Sequence, residues 1–127
     1  MPTDRELDAL KILWTRGRAT VRDVWQELQE SDKNLAYTTV LSLMQTMEHK
    51  GLVAHEASGR AYNYYPLVER VTTFQKLAGR FLDKVFDGAM DEYLVRAMES
   101  RRPSAEELDR LEEMIAEAKR RVGRPSR

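Results

Sequence analysis

A chain of 127 residues has room for one ordinary domain, or a small domain with a helical extension, and excludes a large enzyme fold. With no cysteine and two histidines, it excludes disulfides, thiolate metal sites and thiol nucleophiles and offers no dedicated metal cage, so no cofactor is expected. Basic and acidic residues balance at 21 each, which counts against strong non-specific polyanion binding; about a third of the residues are charged and glycine and proline are few, a composition that reads as soluble and mostly helical.

Thr3-Asp4-Arg5-Glu6 has capping-box spacing, in which the threonine hydroxyl and the glutamate carboxylate each satisfy a free N–H at a helix start. A first helix is expected from there, with Leu7, Leu10, Leu13 and Trp14 on one face and Gly17 as its stop. Arg18 and Ala19 make a short extended link. Thr20 and Asp23 repeat the capping logic, and Val21, Val24, Trp25 and Leu28 form the stripe of a short second helix. After the polar loop from Glu30 to Asn34, residues Ala36 to Lys50 give a third helix through Val40, Leu43, Met44 and Met47. Gly51 suits the left-handed position past a helix end, with Leu52 folding back towards Met47. Leu52–Glu56 and Ala61–Tyr65 then read as two strands around a turn at Ala57-Ser58-Gly59-Arg60, with Tyr62, Tyr64 and Tyr65 as strand core residues.

Beyond Pro66 the period is helical again. Val71, Phe74, Ala78, Phe81 and Val85 recur at steps of three and four until Asp87-Gly88, and Met90, Leu94, Ala97 and Met98 mark a shorter helix. Arg101-Arg102-Pro103 breaks it, Ser104 and Glu107 have capping-box spacing, and Leu108, Leu111, Ile115, Ala118 and Val122 form a last stripe. So short a segment cannot enclose these stripes alone. A second copy of the chain is therefore expected to cover Val71, Phe74, Ala78, Phe81, Val85, Leu94, Met98, Leu108, Leu111 and Ile115. The expected fold is mostly α with a small β-hairpin: an N-terminal winged helix-turn-helix over residues 1–67, a C-terminal helical dimerisation domain over 68–122, and a disordered tail over 123–127.

Function follows from the third helix. If Val40, Leu43, Met44 and Met47 turn inward, the opposite face carries Tyr37, Thr38, Thr39, Ser42, Gln45, Thr46 and His49. This face is neutral, short-chained and rich in hydrogen-bonding groups, where an ordinary solvated face is rich in Glu and Lys. It suits a major groove, in which Ser and Thr reach phosphates or base edges and Gln reads adenine. Lys50 at the helix end and Arg60 at the hairpin tip complete the expected DNA-binding set, Arg60 reaching a phosphate or the minor groove. The alternative is a winged-helix module that docks a protein and has no specific DNA binding. His49 and His55 read as surface residues, and the adjacent carboxylate pairs on exposed faces form no catalytic constellation, so no enzyme is expected. No apolar run approaches the roughly 18 residues of a bilayer span, and the charged start does not resemble a signal peptide, so the cytoplasm is the expected location.

Ala36-Tyr37-Thr38-Thr39-Val40-Leu41 running on to His49-Lys50-Gly51-Leu52-Val53, then Tyr62-Asn63-Tyr64-Tyr65-Pro66-Leu67 and Phe81-Leu82-Asp83-Lys84-Val85-Phe86-Asp87-Gly88, resembles the penicillinase-repressor family (BlaI/MecI type) of bacterial regulators from about Glu6 to Arg121. The resemblance implies a homodimer that represses promoters by occupying palindromic double-stranded operators, with Thr38, Thr39, Ser42 and Thr46 at the DNA-contacting helix positions and Arg60 at the wing tip. It also implies relief of repression through a membrane sensor protease system that leads to cleavage in the dimerisation region. The matching stretch is Leu94–Glu99, where Ala97-Met98 stands in place of the Asn-Phe bond of the best-known members.

Overall fold

The computed structural model describes residues 1–123, so the expected tail lies, but for Gly123, outside the described residues. The element order is α1 (Asp4–Arg16), α2 (Val21–Gln29), α3 (Tyr37–His49), β1 (Val53–Ser58), β2 (Ala61–Pro66), α4 (Arg70–Phe86), α5 (Met90–Ser100) and α6 (Ala105–Val122). This is the mostly helical chain with one hairpin that the periodicity predicts. It divides into two compact units, residues 1–79 and 80–127.

Local chemistry sets the ends of the first three helices. Two of the three expected capping boxes are made in full: Thr3 accepts from the Glu6 amide while Glu6 accepts from the Thr3 amide, and Thr20 and Asp23 do the same. Helix α3 ends in a Schellman motif. The Gly51 amide donates to the Glu48 carbonyl and the Leu52 amide to the Met47 carbonyl, Gly51 has φ +80°, and Met47 and Leu52 are both buried. Ser104 caps α6 by accepting from the Glu107 amide, but the reciprocal bond is not made, so the third expected box is half a box.

The core of the first unit joins Ala9, Leu10 and Leu13 of α1, Val21, Val24 and Leu28 of α2, and Val40, Met44 and Met47 of α3 to Leu35, Leu52, Val53 and Tyr64. Emptying one of its fully buried Leu or Met positions costs about 2–5 kcal/mol. The two tryptophans fasten its margins. Trp25 donates to the Leu35 carbonyl at 2.8 Å, holding the α2–α3 loop. Trp14 donates to the Val68 carbonyl at 2.9 Å and meets Phe74 edge to face at 5.7 Å. Phe74, expected at a dimer seam, is thus packed within its own unit.

The hairpin is tighter than its sequence suggests. Strands pair from Val53↔Pro66 to Ser58↔Ala61, so the expected turn residues Ala57 and Ser58 belong to β1 and the loop is Gly59-Arg60 alone. Gly59 has φ +64° and Arg60 does not share a positive φ, the pattern of a type II′ turn with glycine first. The expected extended link before α2 contracts to one bridge, in which Ala19 and Tyr64 exchange both backbone hydrogen bonds. Of the three tyrosines expected in the core only Tyr64 is buried; Tyr65 is half-buried and Tyr62 is exposed. The reason is that Tyr62 lies near the loop end of a two-stranded ribbon, past the last helix that could cover it.

In the second unit, Phe81, Phe86 and Tyr93 form an aromatic cluster with centroids 5.4–6.0 Å apart. Neither α5 nor α6 buries a residue. Phe81, Val85, Val95, Met98, Leu108, Met114 and Ile115 are all exposed apolar side chains, and Val95 and Met114 extend the stripes read from the sequence. No helix among the described residues is long and apolar enough to cross a membrane.

Candidate nucleic-acid interface

Helix α3 is held by its apolar side. Val40, Met44 and Met47 are completely buried, and Leu41 and Leu43 pack partly against the same core. By the 3.6-residue period, Thr38, Ser42, Gln45 and His49 form the row farthest from that core, with Thr39 and Thr46 flanking it; all six are exposed. Tyr37 opens the helix at 40 % exposure, its ring edge to face with Trp25. Unlike α1 and α2, α3 has no side-chain cap and no acidic residue in its first turn. The Thr39 amide turns back to the Ala36 carbonyl, which leaves the Tyr37 and Thr38 amides to water or to an anion at the electrostatic end a phosphate favours.

A groove of about 900 Å³ runs between the start of α2, one side of α3 and the hairpin. It gathers Tyr37 and Gln45 from α3 and Arg60 from the loop, three of the residues expected at the interface, and adds the cation Arg22 of α2 and the carboxylate Glu48. Arg22 escapes a pattern search for the third helix and wing. The clue lies in its position: a cation in the first turn of a helix opposes the macrodipole and contributes nothing to its own helix. Thr38, Thr39, Ser42 and Thr46 lie on the exposed surface of α3 outside the groove lining.

Ion pairing explains how a near-neutral unit can still present positive charge on one side. Arg5 is engaged by Asp32, Arg16 by Asp23 and Glu27, and Arg18 by Glu56. Arg22, Arg60 and Lys33, which sits in the loop leading into α3, have no carboxylate partner among the described residues. Surface pairs of this kind contribute little stability, yet they decide which cations are available to a polyanion.

Lys50 departs from the expectation that it serves DNA. Its Nζ lies 2.9 Å from Oε1 of Glu6, whose side chain is 3 % exposed. Burial pushes the Glu6 carboxyl up, but the Thr3 amide and the Lys50 ammonium outweigh it and hold the group below the usual carboxylate range. Lys50 therefore anchors the end of α3 to the start of α1. His55, expected as a plain surface residue, has its Nδ1 2.5 Å from Oε1 of Glu48. Burial raises the Tyr64 hydroxyl, with the nearby Glu48 carboxylate adding to it. No group of three metal-ligating side chains occurs among the described residues.

Three comparisons bear on this geometry. The profile of the penicillinase repressor family matches residues 2–117. A transcriptional regulator BlaI of Mycobacterium tuberculosis is 33 % identical over 119 residues, covering 90 % of this chain and 82 % of its own. The penicillinase repressor of Bacillus licheniformis is 23 % identical over 119 residues, covering 94 % of this chain and 92 % of its own. Among solved structures, the solution structure of the DNA-binding domain of the repressor BlaI superposes with a TM-score of 0.50 at 23 % identity, over 55 % of this chain and 84 % of that one. That likeness concerns the fold: three helices followed by a hairpin.

Proposed function

The chain belongs to the penicillinase repressor family and is a winged-helix transcriptional repressor, not an enzyme; from that premise we propose that it acts as a homodimer on palindromic operator DNA, with α3 in the major groove. The observation that carries this reading is the exposed row Thr38, Ser42, Gln45 and His49 over a fully buried Val40-Met44-Met47 side. Short neutral side chains let the helix approach base edges closely, and Gln45 offers the donor and acceptor pair that reads adenine. Tyr37, Thr39 and Thr46 flank the row. Arg22 and Arg60 supply phosphate contacts on the groove side, and Arg60 at the wing tip can also enter a minor groove.

Few phosphate contacts per copy make two copies necessary for useful affinity. The apolar stripes on α4, α5 and α6 supply the reason for pairing: Phe81, Val85, Met98, Leu108 and Ile115 are exposed in the single chain and would be covered by a second one, with Val71, Ala78, Leu94 and Leu111 along the same stripes. We place the protein in the cytoplasm with its operator. Ala97 and Met98, in α5, mark the region that proteolysis through a membrane sensor system would cut.

The test is selection of duplexes from a random pool by the full chain, followed by titration of the enriched sequence. A palindrome should bind at least about 1,000-fold tighter than random duplex, and Thr38→Glu with Ser42→Glu should abolish that difference while circular dichroism stays unchanged. Enrichment of no sequence, with a protein partner bound by the same face and indifferent to salt, would favour the protein-docking module instead.

A further inference from the structure

Glu48 closes the last turn of α3 and His55 lies on β1, so their 2.5 Å contact is a direct side-chain tie between the reading helix and the wing. The imidazole is held by more than the carboxylate. Its ring centroid is 4.5 Å from that of Tyr62 and 5.3 Å from that of Tyr64, both tilted at 45°, so the ring sits against two aromatic side chains of β2. Both partners of the tie are about a third exposed, accessible to protons and yet ordered. An acidic residue in the last turn of a helix stands against the macrodipole, and here it also faces a groove meant for a polyanion. A neutral imidazole with its proton on Nδ1 donates to the carboxylate but leaves the negative charge in place; an imidazolium cancels it and meets the tyrosine rings as a cation.

We propose that Glu48 and His55 form a proton-dependent clamp, in which His55 acts as a positioning residue: its protonation fixes the wing against α3 and tightens the grip on operator DNA. This rests on the operator reading above. Histidine is the side chain whose ordinary titration falls between about pH 5 and pH 8, so the clamp works in a range a cell can reach. The other groups able to carry charge around the ring are few. From α3 there is His49 beside Glu48, from α2 Arg22, from the loop Arg60, and from the neighbouring helix start and strand Tyr37, Tyr62 and Tyr64. Glu56, next along β1, is occupied by Arg18. Of these side-chain types, histidine is the one whose ordinary range lies there.

The experiment compares the full chain with His55→Phe, which keeps a ring against Tyr62 and Tyr64 but cannot take a proton, and with Glu48→Gln, which keeps the shape but loses the charge. His49 belongs to the row that reads DNA and is left in place, so any pH effect through it is common to parent and variants. The probe is the duplex enriched from the random pool, titrated by fluorescence anisotropy at constant salt. From about pH 8 to about pH 6 the parent's affinity should rise about threefold to fivefold more than that of either variant. Glu48→Gln should bind more tightly than its parent at the high-pH end. An equal pH dependence in parent and His55→Phe overturns the clamp.

Should the pool yield no duplex, the operator reading fails and the clamp is still decided without DNA. In the NMR spectrum of the free protein, titration of His55 should move the Glu48 side chain, the Tyr62 ring and the amides of residues 56–62 with one midpoint. In Glu48→Gln this concerted shift should be lost. Titration of His55 that leaves the wing amides unmoved in the parent overturns the proposal.

Discussion

Replacing Lys50 with methionine separates an anchor from a DNA contact. The substitution keeps the aliphatic stem and deletes the ammonium 2.9 Å from Glu6 Oε1. Glu6 is 2 % exposed, so its carboxylate cannot turn to water, but it keeps the Thr3 amide at 2.9 Å. Loss of one charged partner from a buried carboxylate costs about 3–5 kcal/mol when the pair is wholly buried. Here the lysine side chain is 40 % exposed and solvent screens its part of the interaction, which brings the expected loss to about 1–2 kcal/mol. Urea unfolding of the full chain at fixed concentration should show a lower midpoint with an unchanged slope. The acid side sharpens the test. A carboxyl whose folded pKa is lowered contributes stability above its unfolded pKa and loses it as pH falls through the folded value. Without Lys50 the folded value rises towards the unfolded one, so less stability is left to lose with acid, and the difference between parent and variant should shrink as pH falls through the parent's folded value. Operator binding provides the counter-test: an anchor leaves the salt dependence of log K unchanged, whereas a phosphate contact removes about 0.9 from its slope. A variant of undiminished stability whose salt slope drops by that amount would refute the anchor and return Lys50 to the DNA.

The other two expectations concern charge and assembly. Arg22→Ala should lower the salt slope of operator binding by about 0.9 per half-site contact and weaken all duplexes alike; a selective loss for one base substitution would instead mark Arg22 as a base reader. Phe81→Asp with Ile115→Asp places two charges on exposed apolar stripes, so sedimentation should shift from dimer to monomer and operator affinity should fall with it, while the melting of the first unit persists. Sedimentation identical to the parent would remove these helices from the dimer interface.

Much of the architecture was legible because its signals are local. Two threonine caps with acids three residues on, the period of Val40, Met44 and Met47, and a glycine after His49-Lys50 each act within one or two turns of chain. The same holds for the exposed row on α3, since burying one side of a helix exposes the other. Where the expectation slipped, a distant partner was responsible. The turn shrank to Gly59-Arg60 because cross-strand pairing extends through Ser58 and Ala61. Phe74 follows the same spacing as Phe81, and nothing in that spacing tells that Trp14, far away in sequence, receives it.

Charge was the least legible property. Residue composition counts cations but does not say which of them are already engaged, and that is set by folding: Lys50 goes to Glu6 across 44 residues of chain, while Arg22 and Arg60, equal to it in any tally, line the groove without a carboxylate partner among the described residues. Taken alone, the order of amino acids determined the helices, the hairpin and the side of α3 that faces out, because each depends on neighbours within a few residues. Only the tertiary arrangement decided which polar groups are free to meet DNA and that His55 touches Glu48, because hydrogen bonds and ion pairs act over about 3 Å and sequence separation carries no information about such distances.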